Sequence, residues 1–132
     1  MSYSRNSLIG RVAVATVVLA APLGLGATAA SAHTEVVRTS PGSGKTASTS
    51  TRTVLVTFSG EIRRSGAKLR VTGPDRKVVS IGTGGRDARN VKRLRVTLKR
   101  GLKPGRYTAR WTAVAADGHP QKGTFSFRLK RR

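Results

Sequence analysis

The sequence predicts an all-β domain, an antiparallel β-sandwich of about seven short strands. Apolar and polar residues alternate in most segments after position 33, and turn-forming residue combinations separate these segments. No segment shows a sustained helical stripe of apolar residues. About seven strands in a domain of roughly 100 residues favour a sandwich over a small barrel.

The first 32 residues have the three-part order of a secretory signal. Arg5 and Arg11 give a basic start, residues 12–21 are apolar or small except for one threonine, and Ala30-Ser31-Ala32 offers small residues to a signal peptidase. We therefore expect a signal peptide at 1–32 and a single domain at 33–132, with His33 as the new first residue. An uncleaved membrane anchor is the less favoured alternative.

The segments after His33 are rich in Val, Leu, Ile, Thr and aromatic residues. In the stretch from Leu94 to Leu98, every second residue is apolar, which is typical of a half-buried strand. Tyr107 and Trp111 share one face of another segment in the same way. The predicted strands are Glu35–Arg38, Thr53–Phe58, Lys68–Thr72, Lys77–Ile81, Arg93–Leu98, Arg106–Ala113 and Thr124–Leu129.

Four combinations of Gly, Pro and Asp predict turns between these strands. They are Gly73-Pro74-Asp75, Gly82 to Gly85, Lys103-Pro104-Gly105 and Asp117-Gly118. The run from Gly82 to Gly85 is interpreted as a hairpin turn and not as a phosphate-binding loop, because no helix follows it. The Ser, Thr and Gly-rich stretch from Thr39 to Thr53 predicts a mobile crossing loop.

Composition restricts the chemistry. The chain has no cysteine and a single methionine, Met1, so it can build neither a disulfide nor a thiolate metal site. The net charge is +21, of which +19 lies in residues 33–132, because Arg5 and Arg11 are the only charged residues before His33. A field of this sign attracts polyanions such as cell-wall polymer, anionic lipid or nucleic acid.

His33 and His119 are the only two histidines. A histidine at a free N-terminus offers its α-amine and an imidazole nitrogen together, which close a chelate ring on a metal ion. Asp117 and His119 flank Gly118, so one tight turn offers two further ligands. Nitrogen and oxygen donors in a tetragonal set favour Cu(II). An ordinary surface histidine and a purely structural Asp-Gly turn stay open as alternatives.

The order of several tracts resembles that of the CopC copper-resistance family over nearly all of residues 33–132. The tract from Tyr107 to Phe125, with its strand, Asp-Gly-His turn and return strand, is the most specific. The matching tracts are Ala32-His33, Thr39-Ser40-Pro41, Val54 to Ser59, Leu102 to Tyr107, and Trp111 to Pro120 with Gly123 and Phe125.

This resemblance implies an immunoglobulin-like Greek-key sandwich that binds Cu(II). Carried over by position, His33 supplies its α-amine and imidazole, His119 a third nitrogen and Asp117 a carboxylate oxygen. A methionine-rich Cu(I) site is not supported, because the chain after Met1 has no methionine. The implied role is that of a monomeric, non-enzymatic copper carrier or buffer in the periplasm or outside the cell, with a separate CopD-type membrane transporter as a partner.

Two other functions compete with this interpretation. The first is an interaction module that binds an anionic envelope polymer or lipid through its many cations. These cations are Arg63, Arg64, Lys68, Arg70, Lys92, Arg93, Arg95, Lys99, Arg100 and the tail from Arg128 to Arg132. The second is a copper enzyme with a histidine brace. Two features argue against it: the domain is small, and Asp117 would occupy the position where oxygen must bind. Nucleic acid is not expected as a partner, because the few aromatics are assigned to the core.

Overall fold

The computed structural model describes residues 33–132, and the predicted signal peptide at 1–32 lies outside them. The described residues belong to one compact unit. They contain eight β-strands: β1 Val36–Ser40, β2 Thr46–Ser48, β3 Thr53–Phe58, β4 Lys68–Thr72, β5 Ser80–Arg86, β6 Arg93–Leu98, β7 Gly105–Val114 and β8 Pro120–Lys130. Nowhere in 33–132 is there a helix with the length and apolar character needed to span a bilayer.

The strands form two four-stranded sheets, one in the order β1-β3-β6-β5 and the other in the order β2-β8-β7-β4. Their inner faces pack together, so the predicted immunoglobulin-like Greek-key sandwich is confirmed. Within the second sheet, β7 and β8 form a hairpin of ten paired positions, from Gly105 opposite Leu129 to Val114 opposite Pro120. The turn of this hairpin contains the Asp-Gly-His tract.

The stretch from Thr39 to Thr53 crosses from one sheet to the other and back, as predicted, but it is not a loop throughout. It contains β2, which pairs in parallel with β8, with Thr46 opposite Arg128 and Ser48 opposite Lys130. The sandwich is therefore antiparallel except for this one edge pair. Gly44 donates its backbone N–H to the carbonyl oxygen of Ser126 at 2.8 Å, which attaches the segment to β8 just before the strand begins.

The run from Gly82 to Gly85 is not a hairpin turn, because it lies inside β5. Gly82 and Gly84 have φ of 69° and 60°, and the pairing with β6 is irregular between Ile81 and Gly85. A Cβ at position 84 would lie 2.8 Å from the carbonyl oxygen of Leu69. Glycine therefore permits a bulged edge strand that lies close to the backbone of β4 in the other sheet.

The predicted alternation of apolar residues forms the core. The strand β6 alternates between buried and more exposed positions, with Leu94, Val96 and Leu98 buried, and β4 does the same. Burying each such side chain contributes roughly 1.5–3 kcal/mol. The hydroxyl of Tyr107, a buried residue, donates to the carbonyl oxygen of Lys103 at 2.6 Å, the corner contact typical of immunoglobulin-like sandwiches.

Asp87 is a buried carboxylate after β5, with a side chain only 4% exposed. Its Oδ1 accepts the backbone N–H of Arg89 at 2.9 Å, and its Oδ2 lies 2.7 Å from Nη2 of Arg93. The Arg89 hydrogen bond, opposed in part by burial and supported by Arg93, lowers the pKa of Asp87. The ionised carboxylate therefore stabilises the folded chain.

We expect Asp87→Asn to lower the free energy of unfolding at pH 7 by about 1.5–3 kcal/mol, the range for a hydrogen bond to a charged group. Because the folded pKa lies below the ordinary value of 3.8, this contribution is full above that value and is lost as pH falls through the folded pKa. Denaturant unfolding at several pH values measures the loss at pH 7 and its disappearance at low pH. Asp75→Asn is the matched control on an exposed turn, and an equal loss in the two variants would contradict the prediction.

Candidate metal centre

The turn between β7 and β8 is tightly closed. Gly118 donates its N–H to the carbonyl oxygen of Ala115 at 2.9 Å, and Ala115 donates to the carbonyl oxygen of His119 at 3.0 Å. Gly118 has φ of 96°, a conformation that other residues rarely adopt. The glycine therefore lets the chain reverse within a few residues and brings Asp117 and His119 to the same side of the turn.

Asp117 and His119 are joined by two hydrogen bonds. Oδ1 of Asp117 accepts the backbone N–H of His119 at 3.1 Å, and Oδ2 lies 2.9 Å from Nδ1 of the same residue. The backbone bond first, and then the imidazole contact, lower the pKa of Asp117, and His33 adds a smaller effect of the same sign. With Nδ1 facing the carboxylate, the Nε2 atom of His119 is the one left to bind a metal.

His33 lies beside His119, with their ring centroids 6.0 Å apart and their planes at 85°. The residues that follow it fix this position. Thr34 is buried, and a Cβ on Gly60 would come within 2.8 Å of its hydroxyl oxygen. Glu35 donates its N–H to Oγ of Ser59 at 2.9 Å and accepts the Ser59 N–H at 2.7 Å. The chain is thus attached to the sandwich immediately after the histidine.

One segment, residues 59–63, holds both sides of the site. This segment contacts Glu35, as described above. On its other side, the carbonyl oxygen of Glu61 accepts the backbone N–H of Ala116 at 3.1 Å. Arg63 donates its backbone N–H to the carbonyl oxygen of Val114 at 2.7 Å. Because the same short segment contacts residues 34–35 and the 114–116 stretch, the fold itself brings His33 and the Asp-Gly-His turn together.

Side chains alone do not close a metal site. Across residues 33–132, no three His, Cys, Asp or Glu side chains are grouped closely enough to hold a metal ion. The sequence assigns one ligand to the α-amine of His33, and in the uncleaved chain that nitrogen is an amide, bonded to Ala32. The structure thus places all three predicted residues at one end of the sandwich, and the predicted α-amine donor would form only on cleavage after Ala32.

Arg63 is a site residue that sequence reasoning assigned only to the cationic surface. Its Nη2 and Nε atoms donate to the carbonyl oxygen of Ala116 at 3.0 and 3.3 Å. A Cβ on Gly118 would lie 3.5 Å from Nη2, so the guanidinium lies against the Asp-Gly-His turn. No motif or spacing indicates this contact, because 53 residues separate the two partners.

We expect Arg63→Lys to loosen the turn while keeping the charge. The planar guanidinium contacts one carbonyl through two N–H groups, which an ammonium cannot reproduce. If the substitution lowers the free energy of opening the turn by about 1 kcal/mol, the Gly118 amide hydrogen should exchange roughly fivefold faster. Hydrogen exchange followed by NMR measures this, with Arg64→Lys as the neighbouring control. Unchanged exchange in the Arg63 variant would show that the guanidinium does not hold the turn.

Comparison with known families decides the classification. The model of the CopC domain family matches residues 36–130, which include every strand found in 33–132 and the whole Asp-Gly-His turn. The chain belongs to the CopC family. Its relatives include Copper resistance protein C of Xanthomonas campestris pv. juglandis, 30% identical over 122 residues that cover 89% of this chain and 95% of the relative. Protein YobA of Escherichia coli K12 is 28% identical over 99 residues, 75% of this chain and 80% of that protein.

Solved structures of CopC proteins share the fold. CopC from Methylosinus trichosporium OB3b aligns with a TM-score of 0.67 at 20% identity, over 76% of this chain and 96% of that one. PcoC from Escherichia coli, described as a methionine-rich copper resistance protein, aligns with a TM-score of 0.61 at 26% identity, over 75% and 100%. This CopC-family chain differs from a methionine-rich protein in having Met1 alone. Family membership connects the chain with copper resistance and copper binding.

Proposed function

We propose that this protein is exported, loses residues 1–32, and then binds Cu(II) at a site formed by His33, Asp117 and His119. The observation that carries the proposal is the 6.0 Å separation of the two imidazole rings, which lie 86 positions apart in the chain. Cleavage after Ala32 would convert the amide nitrogen of His33 into an amine at the same place. The new chain end would then lie beside the ligand turn.

The donors at this end of the sandwich suit Cu(II). An α-amine and two imidazoles would supply three nitrogens, and the Asp117 carboxylate contacts one of these imidazoles. Nitrogen-rich, tetragonal donor sets favour Cu(II) over the other common divalent ions, whereas Cu(I) prefers sulfur ligands, of which residues 33–132 have none. The lowered pKa of Asp117 keeps its carboxylate ionised in mildly acidic conditions, which offsets part of the metal's charge.

The role that follows is binding and transport of copper without catalysis. Both ring systems of the site are exposed to solvent, with the His119 side chain 66% accessible, so the ion can be taken up and passed on directly. We propose that the protein acts in the periplasm or outside the cell and works as a monomer. A separate membrane transporter of the CopD type is the proposed recipient.

Two measurements on the exported protein test this proposal. Mass spectrometry of the mature chain should show His33 as its first residue. Equilibrium dialysis should then show one Cu(II) bound per chain, with an electron paramagnetic resonance spectrum typical of nitrogen ligands. A first residue other than His33, or the absence of stoichiometric binding by a chain that does begin at His33, would contradict the proposal.

We expect Cu(II) to quench the fluorescence of Trp111, the only tryptophan. Its ring packs edge-on against Phe58, with centroids 5.1 Å apart, and Phe58 precedes the segment that holds the site. Energy transfer to the partly filled d shell of Cu(II) should remove much of the emission at one equivalent. Zn(II) is the control, because its filled d shell offers no such pathway. Emission that stays constant while Cu(II) binds would place the ion far from this ring.

A further inference from the structure

The outer face of the β2-β8-β7-β4 sheet carries a dense group of cations. Side chains that alternate with the buried core residues of β4, β7 and β8 point away from the sandwich and are exposed. We call this group the cationic face, and its members are Lys68, Arg70, Arg106, Arg110, Lys122, Arg128 and Lys130. None of the seven belongs to the candidate metal centre.

The strand register places like charges opposite one another. Arg70 pairs with Arg110 across β4 and β7, and Arg106 pairs with Arg128 across β7 and β8. Neighbouring strands lie about 5 Å apart, which is less than the screening length of about 8 Å at physiological salt. Like charges placed directly opposite destabilise a sheet. The face is therefore under electrostatic repulsion that a bound anion would relieve.

No acidic residue on these strands offsets that repulsion. The strands β2, β4, β7 and β8 contain neither Asp nor Glu. The ion pairs found in residues 33–132 lie elsewhere: Glu61 with Arg86, Asp87 with Arg93, and Asp117 with His119. Positive charge on this sheet is thus unopposed by any acidic side chain of its own strands.

The cationic face is also grooved along the direction of β7. A groove of about 600 Å³ is lined by residues that include Lys68, Arg70, Arg110 and Lys122. A second groove, of about 540 Å³, is lined by both Arg110 and Arg106. Arg106 also lines a third groove, of about 130 Å³, together with Arg128. Arg106 and Arg110 are four residues apart on one strand, a span of about 14 Å. The three depressions therefore follow one another along a line, with an arginine at each junction.

We propose that this face binds a linear polymer that carries a phosphate in each repeating unit. Four of its seven cations are arginines, whose planar forks match phosphate oxygens better than the point charge of lysine. A line of depressions fits a flexible chain better than the flat surface of a bilayer. Tyr107, Phe125 and Phe127 are buried on the inner face, and Trp111, which also lines the first groove, packs edge-on against Phe58. The sheet therefore lacks the row of exposed rings on which successive nucleic acid bases stack.

Binding of fluorescently labelled inorganic polyphosphate to the isolated protein tests this proposal. The double variant R70S/R110S removes one cross-strand pair, and R38S/R95S removes the same charge from exposed positions on the other sheet. We expect at least about tenfold weaker binding for the first and less than about twofold for the second. The affinity of the unchanged protein should fall steeply with salt. Because R70S/R110S relieves repulsion, it should unfold at the same or a higher temperature.

Three outcomes would overturn the proposal. Equal losses in the two double variants would mean that net charge alone attracts the polymer. Tighter binding to phosphatidylglycerol vesicles or to single-stranded oligothymidine at matched phosphate concentration would assign the face to a membrane or to nucleic acid. No saturable binding of polyphosphate at physiological salt would also reject it. Each outcome is independent of copper, because the measurements are made without metal and the variants leave His33, Asp117 and His119 unchanged.

Discussion

An N-terminal extension ahead of His33 is expected to weaken Cu(II) binding by residues 33–132 on the order of 10²–10⁴-fold, the usual gain from tethering two binding groups. The extension turns the α-amine into an amide, so His33 keeps its imidazole but loses the nitrogen that closes the chelate ring. The fold is not expected to change, because the core lies wholly within residues 54–129. Competition with a chelator of known affinity measures the difference.

The length of the extension matters. One or two residues ahead of His33 would create a new chelate from the fresh amine, the intervening amides and the imidazole, so Ser-Gly-Ser-Gly-Ser is the better choice. The same extension on a His33→Ala background is the control. That variant should lose little further affinity on extension, since it has no imidazole with which the amine could cooperate. Equal affinities for the free and the extended forms of the unmutated chain would exclude the α-amine as a ligand.

Much of the fold could be predicted because period-two patterning reports burial directly. The predicted bounds of Thr53–Phe58, Lys68–Thr72 and Arg93–Leu98 match β3, β4 and β6. The failures occurred where composition and context compete. In β5, a glycine run that usually signals a turn instead permits a bulge next to Leu69, and in β2, polar residues join a sheet edge by parallel pairing with Thr46 opposite Arg128.

The candidate site was predictable to a different extent. Two histidines in a histidine-poor chain, one at a predicted cleavage site and one in an Asp-Gly-His turn, indicated the residues. Their proximity could not be derived from periodicity or spacing, because it depends on the long-range hydrogen bonds that residues 59–63 make with Glu35 and Ala116. The contact of Arg63 with the turn was missed for the same reason. Residue type indicates chemistry, whereas only the fold indicates which distant residues meet.

Substitution of His119 by Ala is expected to weaken Cu(II) binding by more than roughly 100-fold, since loss of even an outer-shell partner costs about 10–100-fold. The variant removes the imidazole that lies beside His33, together with its Nδ1 contact to Asp117, and leaves the backbone hydrogen bonds of the turn intact, because these use the N–H and carbonyl oxygen of residue 119. Gln121→Ala, two residues further along β8, is the matched control and should bind Cu(II) as the unchanged protein does. Chelator competition on residues 33–132 measures all three forms.

The role of Asp117 decides whether the losses of Cu(II) binding free energy caused by Asp117→Asn and by His119→Ala add together. In this structure both carboxylate oxygens contact His119, Oδ1 through the backbone N–H and Oδ2 through Nδ1. Asp117→Asn keeps an Oδ1 acceptor and removes the charged partner of Nδ1. If the carboxylate acts by orienting His119, Asp117→Asn alone weakens binding about 10–100-fold, yet adds little to His119→Ala. If Asp117 instead binds the metal directly, the two losses add in free energy. A double-mutant cycle of Cu(II) affinities therefore separates an oxygen ligand from a positioning residue, and the two hydrogen bonds lead us to expect the non-additive result.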